Sequence, residues 1–537
     1  MREVDSTEAS PGDPETGQRF APRAAVTTAL RPQLHRLWED AMQPFPLLAA
    51  LTALYAAAAA VTGRRYVWFD ELFTYRIALA SSIAEMWRMI RSYDFNPPAG
   101  YLLSRISMAI FGANSWGLRL PSILEFFLAS MALFHYVRRK VGPPYAAFAV
   151  LTLWSSPSFR YATEARPYAL LLMSGCFLLV GWDRAATESA APEERSGGGK
   201  RGAALTLVAF SSAGLFAAHI FGLFSLLPFV LAEIVRWVRR RRPDYPLWAA
   251  LLLPSVLMAS YLPMVGAYQR ILFPPAFQAS LLKLAGFFYL SRGLAIASLG
   301  ALLLSLCNPR RSRSNSVVPE DAVLFAGFLL SPLLLMLLLI HQKSAYWDRY
   351  FIATQAALCA GAAVFIGLRF RCNRIAGYAL ALAMMAVTLH HDVLRPLRQI
   401  RRNNERAILQ VRPDLPLVDA SMLTFFEMNR YESPALLSRL YFLRDRAAAI
   451  RYAHSTAFEN FLSYRRSSAD FPIAAKVEAY GEFVRRHREF LVFGEKNYPE
   501  DWLLPKLAAD GARIETLGDF PAIYRDKTLF LVTMPPN

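Results

Sequence analysis

The chain has 537 residues, of which 55% are hydrophobic and 19% charged, a composition too apolar for a soluble protein and long enough for a membrane domain plus one further domain. Its formal net charge of +18 does not describe a nucleic-acid surface, because the basic residues fall in short runs between apolar segments, such as Arg138-Arg139-Lys140 and the run at 239–242, as topology signals do. The four cysteines, Cys176, Cys307, Cys359 and Cys372, make neither a disulfide framework nor a zinc-ligand spacing, which leaves the redox compartment open.

Residues 1–43 mix Pro, Gly, Glu, Asp and Arg without a hydrophobic period and read as a disordered cytoplasmic tail with no signal-peptide core. The first span is predicted at 44–61. Directly beyond it stands Trp68-Phe69-Asp70-Glu71, two adjacent carboxylates at the mouth of a span, where ionisable groups are costly unless they have a task. The plainer reading is that Asp70 caps the helix that follows by accepting from an unpaired backbone N–H. Ala99–Phe111 is short for a span and carries Arg105 in its middle, so it is predicted to lie in the interface as an amphipathic helix. Ten further spans, at 118–137, 143–158, 167–182, 203–218, 220–237, 247–265, 284–306, 322–340, 350–368 and 375–390, bring the total to about eleven crossings. With that set, the loops on the amino-terminal side hold far more Lys and Arg than the short loops opposite, which places the amino terminus in the cytoplasm. The long first outer loop, 62–117, is an arginine-rich exception. From 391 to 537 the apolar runs shrink to strand length, at 415–418, 490–493 and 529–532, with helical patterns at 473–487 and 502–509 between them. The predicted fold class is therefore an α-helical polytopic membrane protein, residues 44–390, with a C-terminal extracytoplasmic soluble α/β domain, residues 391–537.

Under this topology the unusual polar residues collect on the outer side. Asp70 and Glu71 stand in the first outer loop. Glu164, Arg166 and Tyr168 belong to the turn between the third and fourth spans, His219 to the next outer turn, and Lys343, Arg349 and Tyr350 to the loop after the ninth span. Each has a plainer role: Glu164 pairing with Arg166, His219 packing, Arg349 reaching to the interface, Tyr346 and Trp347 anchoring there. Together, carboxylate and guanidinium groups suit a substrate whose leaving group is a lipid-borne phosphate. Departing phosphate needs cations to hold its charge. The acceptor hydroxyl needs a base, and Asp70 is the best placed carboxylate. A glycoside hydrolase would need two carboxylates about 5 Å or more apart across one bond, which sequence neighbours rarely supply. His390-His391-Asp392 is read as an interfacial flank, so no metal ligands are assigned, and a divalent cation stays an open requirement.

Trp68-Phe69-Asp70-Glu71 with Thr74, Asn96-Pro97-Pro98 followed by Tyr101-Leu102-Leu103, Phe111-Gly112 with Arg119-Leu120-Pro121-Ser122, and Tyr161-Ala162-Thr163-Glu164-Ala165-Arg166-Pro167-Tyr168 together resemble the amino-terminal half of bacterial integral-membrane glycosyltransferases of the GT-C fold. The chain is most similar to the group holding the lipopolysaccharide-core galacturonic acid transferases, and more distantly to the lipid A aminoarabinose transferase and the protein O-mannosyltransferases. The resemblance implies a polyprenyl-phosphate sugar as donor, and a hydroxyl of a lipid, glycan or protein of the cell envelope as acceptor. It further implies reaction at the outer face of the bacterial inner membrane, with inversion at the anomeric carbon. The family's first-loop acidic residue corresponds to Asp70, with Glu71 beside it; its Glu-Ala-Arg-Pro-Tyr turn corresponds to residues 164–168; its grip on the donor phosphate corresponds to Arg349-Tyr350. The competing reading is a membrane transporter or lipid-linked-sugar flippase, which predicts two similar halves with interrupted spans in matching positions. No such repeat is present in the sequence. A membrane scaffold with a partner-binding soluble domain would leave the Asp70 and Glu164 motifs without a purpose.

Overall fold

A backbone in lipid has no water to bond with and must close its hydrogen bonds within its own segment, so the apolar runs form helices. The computed structural model describes residues 44–189, 198–290, 318–399, 410–463, 467–520 and 526–536. Among these, eight helices are long and apolar enough to cross a membrane: Pro44–Thr62, Ser115–Val141, Tyr168–Glu188, Gly199–Ala218, Tyr245–Tyr268, Pro319–His341, Asp348–Arg369 and Arg374–Leu397. Two more of the predicted crossings are helical but shorter or more charged. Pro143–Trp154 has 12 residues, and Gly222–Arg240 carries Glu233, Arg236, Arg239 and Arg240. The span expected at 284–306 begins in the helix Leu281–Leu290 and otherwise falls outside the described residues. Contacts along the chain gather Ala53–Asn537 into one compact unit; of Met1–Thr52, only the start of the first helix is described.

The segment after the first helix builds one wall of the site. Helix α1, Phe69–Ala78, follows Trp68 in an extended conformation. The Glu71 carboxylate reaches back to accept from the Trp68 N–H at 3.4 Å, so the cap that the sequence offers to Asp70 is made by Glu71, the third helical residue. A single π turn, Ile90–Asp94, then ends with Phe95 in the left-handed region at φ 59°; such turns interrupt regular helices often at functional positions. Helix α2, Ala99–Phe111, buries Tyr101, Ser104, Ser107 and Met108 on one face. Helix α3, Ser115–Val141, is capped by Asn114, whose Oδ1 accepts from the N–H groups of Trp116 and Gly117 at 2.9 Å each.

Beyond residue 410 a six-stranded sheet runs in the order β3-β2-β1-β4-β6-β5. Its strands are β1 Leu417–Asp419, β2 Leu440–Arg444, β3 Lys476–Ala479, β4 Glu489–Gly494, β5 Arg513–Phe520 and β6 Lys527–Thr533. The first four are parallel, and β6 and β5 continue the sheet antiparallel. The helical pattern expected at 473–487 is overturned in its first half: β3 occupies it, followed by a helix at Tyr480–Arg486. β3 is an edge strand bearing Lys476 and Glu478, and charges on an edge blunt its tendency to pair with other chains. The same charges mimic an exposed helix face in the sequence.

This sheet region is tied to the segment that follows the first helix, beginning with helix α4, Met422–Tyr431. The Phe69 N–H donates to Glu427 Oε1 at 3.1 Å and the Val67 N–H to Tyr431 Oη at 2.9 Å. Arg88 makes a bidentate pair with Asp470 at 2.7 and 3.0 Å, and Tyr93 Oη donates to the same carboxylate at 2.7 Å. Phe73, Phe426, Phe461 and Phe471 interlock between the two regions with ring centroids 4.9 to 6.4 Å apart. A further tie runs from the segment before Leu281, where Leu272 and Thr456 exchange hydrogen bonds at 3.0 and 3.2 Å.

Candidate active site

A cavity of about 710 Å³ lies between the ends of the membrane helices and the sheet region. Of the residues that the sequence singles out, Asp70, Arg166, Tyr168, His219, Arg349 and Tyr350 line it. Glu71, Glu164 and Lys343 are not among its lining residues.

Successive side chains on a helix point about 100° apart, and at the start of α1 this separates the two carboxylates completely. Asp70 faces the cavity, where its Oδ2 accepts from Arg349 Nη1 at 2.9 Å; the side chains of Arg349 and Asp70 are 16% and 19% exposed. Glu71 is fully buried on the other side. Its carboxylate takes Arg119 Nε at 2.7 Å and Nη2 at 2.6 Å, and accepts from the Ala165 N–H at 2.9 Å. Arg119 completes the knot by donating to the carbonyls of Gly63, Arg65 and Tyr66 at 2.7 to 2.9 Å. Burial alone would raise the Glu71 carboxyl, but the Arg119 guanidinium more than offsets it and holds the group below its ordinary value. Asp70 and Glu71 therefore take separate roles, and Glu71, a catalytic candidate by sequence, is no part of the cavity: it joins the segment after the first helix to α3 and to the turn at 164–168.

Arg166 enters the cavity from that turn but spends its charge on Asp94. Its Nη2 donates to Asp94 Oδ1 at 2.8 Å, and Nη1 also reaches Asp94 Oδ2. Asp94 further accepts from Tyr101 Oη at 2.6 Å and from Asn96 Nδ2 at 3.1 Å. Burial opposes its ionisation, and the Arg166 guanidinium overcomes that, so Asp94 is held below the usual carboxylate range. The same guanidinium donates to the Asp70 backbone carbonyl at 3.2 Å, which fixes the turn carrying Asp70. Asp94 is absent from the sequence-based candidates; the π turn that presents it is visible only in the fold.

Arg349 is sandwiched by rings, with its guanidinium 5.3 Å from the Tyr168 centroid and 5.1 Å from that of Trp347, a geometry that attracts the cation electrostatically. His219 packs between Tyr168 and Tyr350 with centroids 5.7 and 5.6 Å away. Its Nδ1 accepts from the Phe221 N–H at 3.1 Å. Burial, with Arg349 and Arg166 nearby, pushes the imidazole down to about 3. His219 is thus neutral and a wall of the cation's pocket. The Nε atoms of Arg166 and Arg349 are buried without a hydrogen-bond partner among the described residues, and orphaned buried donors call for a ligand or water to explain them.

Glu164 is buried with Arg65 at 3.8 Å, and its Oε1 has no partner among the described residues. Burial pushes it up to about 7. Because the unfolded carboxyl ionises near 4.5, the folded state keeps a proton that the unfolded state has lost between those two values, and stability falls as pH rises through that window. Glu164→Gln removes this penalty. Its melting temperature relative to the parent is expected to climb from pH 5 to pH 7.5, by the equivalent of roughly 2 to 3 kcal/mol. A difference independent of pH would rule out the buried protonated acid.

Lys343 is exposed on the turn after Pro319–His341, at φ 51°, and takes no part in the cavity. Among the described residues, no group of three His, Cys, Asp or Glu side chains is placed to hold a metal ion. His391 Nδ1 lies 2.9 Å from Asp392 Oδ1, away from the cavity lining. The sheet region contributes what the sequence left unassigned: Thr424, Glu427, Tyr498, Glu500 and Lys527 line the cavity opposite the membrane helices. Burial pushes Glu427 up to about 8.

Comparison with known proteins sets this geometry in context. Residues 96–258 match the family model described as dolichyl-phosphate-mannose-protein mannosyltransferase. No curated protein matches the chain in sequence. Among solved structures, ArnT from Cupriavidus metallidurans in the apo state is similar with a TM-score of 0.50 and 13% identity, over 92% of this chain and 98% of that one. The structure of ArnT from Cupriavidus metallidurans bound to undecaprenyl phosphate gives 0.48 and 14%, over 90% and 97%. The arabinosyltransferase EmbB from Mycobacterium smegmatis gives 0.39 and 16%, over 66% and 32%. At such identities the likeness concerns the fold: the chain has the membrane-embedded GT-C glycosyltransferase fold, with a small sheet region at its carboxyl end.

Proposed function

We propose that the protein transfers a sugar from a polyprenyl-phosphate donor to a hydroxyl of a cell-envelope acceptor, at the outer face of the bacterial inner membrane and with inversion. The observation that carries this reading is the Asp70–Arg349 pair, a carboxylate and a guanidinium 2.9 Å apart on the wall of the cavity at the ends of the membrane helices. The matched family's dolichyl-phosphate donor is of the same chemical class.

Asp70 is the base and Arg349 the phosphate grip. A donor phosphate competes with Asp70 for Arg349, and when it takes the cation it leaves the carboxylate free to accept a proton. The acceptor oxygen then forms its bond to the anomeric carbon as the bond from that carbon to the phosphate oxygen breaks. Asp70 takes the hydroxyl proton, and polyprenyl phosphate departs as an anion held by Arg349. Tyr168, Trp347, Tyr350 and neutral His219 keep Arg349 in place; Arg166 with Asp94 holds the turn of Asp70. Glu71 has a supporting role only, and Lys343 none.

Arg349→Ala is expected to raise the KM for a radiolabelled polyprenyl-phosphate sugar by about tenfold or more while changing the acceptor KM little, since a hydrogen-bonded charge pair is worth about 1.5 to 3 kcal/mol. Steady-state kinetics on the purified protein in nanodiscs decides the matter; a larger effect on the acceptor than on the donor would remove the phosphate role.

A further inference from the structure

In the sheet, β1 lies between β2 and β4. The chain leaves β1 to build β2 and then β3 on one side, whereas β4 lies on the other. The segments that follow the carboxyl ends of β1 and β4 therefore diverge, and in open α/β sheets the crevice at such a switch point is where ligands bind. Here the crevice opens into the cavity already described. Thr424 and Glu427 follow β1, Tyr498 and Glu500 follow β4, Lys527 begins β6, and all five line that cavity. Gly494 ends β4, and a Cβ there would stand 3.0 Å from the Ala420 Cβ, so the two strand ends meet with no side chain between them. The Lys527 ammonium acts on the buried carboxylates of Asp419 and Asp501 as well as on Glu427. Asp419 and Asp501 each accept backbone N–H groups through Oδ1 and have Oδ2 without a partner among the described residues.

We infer that this crevice is the subsite for a saccharide portion of the acceptor, with Glu427 and Lys527 as its polar contacts. The inference rests on the transferase reading above. A carbohydrate presents neighbouring hydroxyls that donate and accept, and a carboxyl, an ammonium and the Tyr498 phenol together satisfy both demands. Its flat C–H faces pack on rings, and Phe458 and Phe461 line the same wall. Position adds the decisive link. Glu427 Oε1 accepts from the N–H of Phe69, the residue before Asp70, so a hydroxyl held at Glu427 is delivered beside the proposed base. The sheet region is thereby half of the site and not a lid over it.

The test uses the full chain in nanodiscs, with Lys527→Met and Glu427→Ala as variants. Lipid-free lipopolysaccharide core oligosaccharide and a serine- and threonine-containing peptide serve as radiolabelled probes, and a polyprenyl-phosphate sugar serves as the control for an intact membrane half. The oligosaccharide is expected to bind the parent, to bind Lys527→Met about tenfold or more weakly, as loss of a hydrogen bond to a charged group requires, and to bind Glu427→Ala about threefold or more weakly, as loss of a hydrogen bond to a neutral carboxyl requires. Donor binding by Lys527→Met stays at the parental level. Unchanged oligosaccharide binding in both variants, no binding to the parent, or binding of the peptide alone would each overturn the assignment. Oligosaccharide bound as described but never glycosylated leaves the saccharide site standing and defeats the transferase reading; sugar transfer with an unaltered acceptor KM in Lys527→Met defeats the subsite alone.

Discussion

Arg119→Ala is expected to cost the protein about 3 to 5 kcal/mol, because removing one partner of a buried ion pair leaves the other as an uncompensated charge. Arg119 and Glu71 are both 0% exposed, so no water is at hand to take over. The loss extends beyond the pair: the carbonyls of Gly63, Arg65 and Tyr66 lose their Arg119 donor at the same time. Melting of the purified protein in detergent measures the effect, and Glu71→Gln separates its parts by keeping the shape while removing the charge. The double variant Arg119→Met with Glu71→Leu should melt above Arg119→Ala, since matched apolar groups leave no charge stranded. A change under about 1 kcal/mol for Arg119→Ala, the value of an exposed pair, would show that the knot is not as dry as its geometry states. The Glu71 carboxyl is held low when folded. Its share of stability is therefore present above the unfolded value of 4.5 and is lost only as pH falls through the folded one.

Asp70→Asn should lower kcat by about 10² to 10⁴, the range that a positioned general base supplies. The donor KM should hold steady or fall, because Arg349 loses its internal carboxylate partner and is left to the phosphate. This split separates a lost base from a damaged fold, which would weaken both terms. Near-parental kcat with a radiolabelled donor would eliminate Asp70 from the chemistry. The amide fills the same space as the acid, so a collapse of the cavity is not expected to confuse the result.

The membrane part was legible because lipid leaves so few options. Apolar runs of span length become helices wherever they are described, and only marginal segments such as Pro143–Trp154 and Gly222–Arg240 test a length or charge criterion. Asp70 and Arg349 could be singled out from the sequence because charged groups beside spans need a reason to be there. Their direct pairing could not, since 278 residues separate the two positions and nothing local links them. Glu71 illustrates the converse. It has the same local signal as Asp70, and only the 100° turn between neighbours decides that one faces the cavity and the other Arg119. Lys343 shared the chemistry expected of the site but sits past the helix end on an exposed turn. In the sheet region the apolar runs at 415–418, 490–493 and 529–532 fall on β1, β4 and β6, whereas β3 is too short and too charged for its alternation to register, and Glu427 and Lys527 gain their meaning from tertiary placement alone.

The two backbone donors flanking Trp68, those of Val67 and Phe69, are satisfied by side chains from helix α4 and, among the described residues, by nothing nearer in sequence. A shortened protein ending at the last membrane helix would present that turn with both groups bare. Chimeras that graft a relative's carboxyl-terminal half onto this one should accordingly be planned around Glu427 and Tyr431, with the graft bringing equivalent acceptors or the turn being exchanged along with it.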